Sequence, residues 1–75
     1  MNQKIKVTDS ASETLRARML AHARSYAKTR DLTMNALGRL ILNDQRFFDE
    51  IAAGRDFRVG TYDTVMEWFD RHWTD

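Results

Sequence analysis

The sequence predicts a compact all-α domain of four to five helices, and three observations carry that reading. Apolar residues recur at helical spacing in four stretches, around Leu15–Ala27, Leu37–Ile41, Phe48–Ala52 and Tyr62–Phe69. Between these stretches stand residues that start or stop helices: Ser10, Thr33, Asp44 and Thr61 as caps, Asn43 and Gly54 as stops. No proline, internal repeat or low-complexity segment interrupts the pattern.

A chain of 75 residues makes one domain, near the lower size limit for folding without staples. It has no cysteine, so disulfides and cysteine-based zinc sites are excluded. Its two histidines, His22 and His72, are far apart and lack metal-ligand spacing, so neither a metal nor a cofactor is expected. The opening segment MNQKIKVTD has no long apolar run, hence no signal peptide and no membrane span; the cytoplasm is the expected compartment. Net charge is only +1, but it is unevenly spread. Residues 1–30 carry seven basic and two acidic side chains, residues 31–75 five basic and nine acidic. The basic half can serve as a face for a polyanion or simply as a solvated helix surface.

In chain order, residues 1–9 read as an N-terminal arm and 10–75 as the folded domain. Within the arm, Ile5 and Val7 alternate with Lys4 and Lys6, which also permits a short strand. Ser10 to Glu13 fits a capping box, with a helix following to about Thr29. Leu15, Met19, His22 and Tyr26 form its apolar stripe, flanked by Leu20, Ala23 and Ala27. Arg16, Arg24 and Lys28 lie off that stripe, and His22 reads as a packed boundary residue. Thr33 caps a second helix, Met34 to about Leu42, with Leu32 and Leu37 as its hydrophobic staple and Leu37, Leu40 and Ile41 buried. Gly38 inside it marks close backbone approach, with a neighbouring helix crossing on top of it. Asn43 tolerates the left-handed conformation that ends a helix, and Asp44 caps the next, Gln45 to Ala53, which stops at Gly54. Phe48 and Ile51 point inward from it, and Ala52 suits a tight contact. Thr61 caps a last helix through Trp73 that buries Tyr62, Val65 and Phe69. Trp68 and Trp73 do not both turn inward easily, and an exposed tryptophan marks a partner surface.

The chemistry follows from this layout. No Ser/His/Asp order, phosphate-binding glycine loop or HExxH spacing is present, so no enzyme is expected. Residues 33–54 instead have the layout of a helix-turn-helix motif: two short helices joined by a tight turn. The first turn of the second helix would present Gln45, suited to adenine, and Arg46, suited to guanine. Asp49 is an acceptor suited to cytosine N4. The helix starts at Thr33 and Asp44 suit the phosphate backbone, and Arg55 and Arg58 are placed to clamp flanking phosphates.

Thr33 to Phe69 resembles the lambda-repressor/Cro type of helix-turn-helix, often called XRE-like, and in particular small phage and proteobacterial regulators. The residues that carry the resemblance are LGRLILNDQRFFDEIAAGRDFRVGTYDTV. Leu37, Gly38 and Arg39 open the match, and Asn43-Asp44 stand where the family has Gly-Asp. Phe47, Phe48 and Ile51 hold its apolar positions, Gly54-Arg55 its Gly-Arg pair, and Thr61, Asp63 and Val65 the start of the following helix. Met34 stands where the family often has a glutamine for phosphate, with Asn35 adjacent to take that role. The resemblance covers about half of the chain and implies a DNA-binding regulator, commonly a homodimeric repressor on double-stranded DNA. Two other readings stay open. The acidic second half and the tryptophans suit a helical protein-interaction adaptor or inhibitor. A ribbon-helix-helix repressor or antitoxin would use Lys4 to Val7 as its ribbon.

Overall fold

In the computed structural model, backbone is described for residues 2–73 and side chains for residues 12–73. The described residues form four helices and no strand: α1 (Asn2–Arg30), α2 (Met34–Leu42), α3 (Phe47–Ala52) and α4 (Val59–His72). A helix rises about 1.5 Å per residue. The 29 residues of α1 therefore account for the 43 Å long axis of the molecule. α1 packs against each of the other three helices, and α2 also meets α3 and α4. No helix among the described residues is long and apolar enough to cross a membrane.

The core is where the apolar stripes converge. Met19, Ala23 and Tyr26 of α1 meet Leu37 of α2, Phe47, Phe48 and Ile51 of α3, and Val65 and Phe69 of α4, all buried. His22 is half-buried at the edge of this core, as its place on a mostly apolar stripe requires.

Each connection has a residue of positive φ at or next to its start. α1 ends at Asp31 (φ 59°), whose N–H donates to the Lys28 carbonyl while that of Leu32 donates to Ala27. This is a Schellman closure, which satisfies carbonyls that a helix end otherwise leaves open. Asn43 (φ 56°, ψ 35°) closes α2 in the left-handed region, as its residue type predicts. Gly54 (φ 111°) closes α3, with Gly54 N–H on Ile51 and Arg55 N–H on Glu50.

Several sequence-based expectations are corrected. α1 begins at Asn2, so Ser10 lies inside a helix and is not its cap, and residues 4–7 are helical, not a separate arm or a ribbon strand. α4 begins at Val59 with Arg58 in its extended N-cap position, so Thr61 lies in the first turn. α3 begins two residues later than expected, because Gln45 and Arg46 form a turn in which Phe47 N–H donates to the Asp44 carbonyl (3.1 Å). Phe47 is buried along with Phe48, whereas Ala52 is exposed. Leu40 is 59% exposed. Gly38 faces the turn, and two residues further round the helix is about 200° away, so Leu40 points outward.

Candidate functional site

The surface that the sequence singles out is built by α2, the turn after it, and α3. Thr33, in extended backbone conformation (φ −81°, ψ 159°), accepts the Ala36 N–H on Oγ1 at 3.0 Å and opens α2. Leu37 from the same helix anchors it in the core. Gly38 is where the turn folds back: a β-carbon there would lie 2.5 Å from the Asp44 carbonyl oxygen and 3.6 Å from the Phe48 ring. The close approach is real, but the neighbour is turn backbone rather than a crossing helix. Asp44 then holds the turn with both carboxylate oxygens. Oδ1 accepts the Arg46 N–H (3.1 Å), and Oδ2 accepts from Arg55 Nη1 (3.3 Å). This corrects its expected role as a helix cap: the N-cap position of α3 is Arg46, which has no side-chain cap, and Asp44 closes the turn ahead of the helix.

A six-residue helix has little stability of its own, so α3 is fixed from outside. Behind it stands Arg16 of α1, which is 9% exposed. Its Nη1 donates to the carbonyls of Ile51 and Arg55, each at 2.7 Å. Those carbonyls lie at and just beyond the negative end of the α3 dipole, where a cation is favoured. The guanidinium also lies over the Phe57 ring (5.4 Å), and Glu13 approaches its Nε at 3.5 Å. Periodicity alone placed Arg16 off the apolar stripe. Its position one residue after Leu15 and three before Met19 was the available sign that it borders the core.

In front of α3 stands Asn35. With its amide oriented so that Nδ2 faces acceptors, it donates to Asp49 Oδ2 (3.0 Å) and to the Gln45 carbonyl (3.1 Å). Thr33, Asn35, Gln45 and Asp49 therefore belong to one surface, shared between the start of α2 and the exposed side of α3. Gln45, Arg46 and Asp49 are all exposed, and Arg46 shares an open hollow with Arg39, Asn43, Asp44 and Gln45.

The arginines separate into different environments. Arg46 keeps a side chain 76% exposed and only a 4.0 Å approach to Glu50. Arg55 is engaged within the chain: Nη1 reaches Glu50 Oε1 at 2.7 Å as well as Asp44, and its guanidinium lies 5.6 Å from the Phe47 ring centre. Arg58 is exposed at the start of α4. Asp44, Asp49 and Glu50 thus outnumber Arg46 and Arg55 around α3, and the basic surplus needed against a polyanion is not on this helix.

The tryptophans are not left over. Trp68 and Trp73 are both half-buried and both pack edge-on against Tyr26, with ring centres 5.2 and 5.4 Å away. His72 stacks on Trp68 at 4.1 Å, and His22 meets Trp73 edge-on. No group of three or more His, Cys, Asp or Glu among the described residues is placed to hold a metal ion.

Comparison with known proteins finds no family model, no curated protein and no solved structure that matches this chain.

Proposed function

We propose that this chain is a sequence-specific transcriptional regulator of the lambda-repressor/Cro helix-turn-helix class, a repressor that binds double-stranded DNA as a homodimer in the cytoplasm. The observation that carries the reading is the α2–turn–α3 unit. A left-handed Asn43 and the Gly38–Asp44 contact bring two short helices together. The turn that leads into the second helix leaves Gln45 and Arg46 exposed, at the end of the unit where a recognition helix presents side chains to base edges in the major groove. Gln45 and Arg46 are the base-reading candidates, Thr33 at the start of α2 faces phosphate, and Arg58 flanks it. Arg55 is engaged by Asp44 and Glu50 within the chain. Six residues of α3 rise only about 9 Å, so one copy reads few base pairs, and two half-sites supply the remaining affinity.

The test is fluorescence anisotropy of the full chain on duplexes enriched from a random pool. Specific binding should fall with salt at a slope near −0.9 per phosphate neutralised. Gln45→Ala combined with Arg46→Ala should abolish selectivity. No enriched duplex, or a double variant that binds as the parent does, would overturn the reading.

One observation favours a second reading, a protein-interaction module on the same four helices. The acidic residues around α3 engage Arg55 and leave the exposed face short of positive charge. Light scattering with and without DNA separates the two, since only the first predicts a dimer–duplex complex.

A further inference from the structure

Asp49 is an unexpected residue for a helix facing DNA, because an ionised carboxylate near phosphates is repelled at every sequence. Its geometry gives it a use. Oδ2 is taken by the Asn35 amide at 3.0 Å, and the same amide nitrogen holds the Gln45 carbonyl at 3.1 Å. Asn35 thus ties the Asp49 side chain to the backbone of the turn and fixes its rotamer from α2. No cation among the described residues lies within 4.0 Å of the Asp49 carboxylate, and the residue is exposed. What remains is Oδ1, the second acceptor of an exposed side chain held in place, four residues after Gln45 in the turn that leads into α3.

We propose that the Asn35–Asp49 pair is a cytosine discriminator, an assignment that rests on the DNA-binding reading above. In the major groove cytosine offers the N4 amino donor. Guanine offers only the N7 and O6 acceptors, and thymine offers O4 and a methyl group. Adenine offers a donor at N6 but sets the N7 acceptor beside it, and a carboxylate with no proton to give is repelled by N7. A single oriented acceptor therefore selects cytosine and rejects guanine and thymine most strongly. Asn35 is the positioning residue. With its amide protons directed at Asp49 and Gln45, it is not a phosphate contact.

The experiment selects duplexes from a random pool with the full chain, then compares Asp49→Ala, Asp49→Asn and Asn35→Ala on the four base pairs at each selected position. The parent should select cytosine at one position per half-site and bind about tenfold or more weakly when that base is changed, as expected for loss of a specific base contact. Asp49→Ala should equalise the four bases at that position alone, while binding random-sequence DNA more tightly because a repulsive charge is gone. Asp49→Asn, nearly isosteric and uncharged, should lose the discrimination against guanine and thymine. Asn35→Ala should weaken the preference at the same position without altering the rest of the motif, an effect that a merely structural role would not confine to one base. A selected motif lacking cytosine, or Asp49→Ala retaining the parent's preference, overturns this assignment and leaves DNA binding standing. Failure to enrich any duplex overturns both.

Discussion

Arg16 illustrates how one side chain can set the position of a helix that lacks the length to stabilise itself. Its two 2.7 Å hydrogen bonds join carbonyls on either side of the α3 stop, the Ile51 bond buried and the Arg55 bond part-buried. Hydrogen bonds to a charged group are worth more than neutral ones, while the Ile51 carbonyl keeps the Gly54 N–H when the arginine is removed. Arg16→Met should therefore destabilise the fold by about 1.5–3 kcal/mol, with Arg16→Lys recovering only part, because an ammonium has no planar face to lay over the Phe57 ring. Urea unfolding followed by tryptophan fluorescence measures it. Gly38 gives a test in which the sign itself is diagnostic. Helix propensity alone would make Gly38→Ala stabilising by about 1 kcal/mol. The 2.5 Å approach of Asp44 backbone to the added carbon predicts the opposite. A loss of about 1–3 kcal/mol is expected, as for overpacking a site with no room to shift. A stabilised variant would show that the turn can move aside.

The α2–α3 pair depends on its connection more than on either helix. Asn43 closes α2 with its N–H on the Arg39 carbonyl at 2.9 Å, and Asp44 N–H reaches the Gly38 carbonyl at 3.2 Å. A β-branched residue or alanine at a left-handed position is strained, while glycine is at ease there. Asn43→Ala is expected to lower stability by about 1 kcal/mol, and Asn43→Gly to leave it unchanged or slightly raised, both read from the urea midpoint. The Arg55 clip to Asp44 and Glu50 sits on the same turn, but its partners are well exposed. Exposed pairs contribute little, so the turn is held by its backbone conformation and by Gly38, and the clip mainly keeps Arg55 from reaching elsewhere.

At the scale of the molecule, α1 is both spine and extension. Among the described residues the buried set begins at Arg16, and only the part of α1 from Leu15 onward packs on the core. The aromatic group of Tyr26, Trp68, Phe69 and Trp73 closes the contact between the apolar stripe of α1 and α4. It turns the two tryptophans into packing residues and removes one of the features that had suggested a partner surface.

The chain's local chemistry decided the breaks. Thr33, Asn43 and Gly54 act through backbone conformations and hydrogen bonds that span a few residues, so α2 is legible to its ends and the stops of α2 and α3 are where residue type puts them. The apolar spacing of α1 and α4 likewise names most of the core. Other features are decided only when separate segments meet. Arg16 is buried because α3 ends against it, 35 residues away in sequence. Leu40 is exposed because Gly38 must face the turn, although both lie on one short apolar helix. Asn35 and Asp49 become one unit only because the turn lays the start of α2 beside α3. The Thr33 cap and the helix stops are local interactions and can be read along the chain, whereas Ser10 and Thr61 fail as caps because their helices begin earlier. Burial of a charge, orientation of a helix and the pairing of polar side chains depend on which neighbour arrives, and the tertiary structure alone supplies the neighbour.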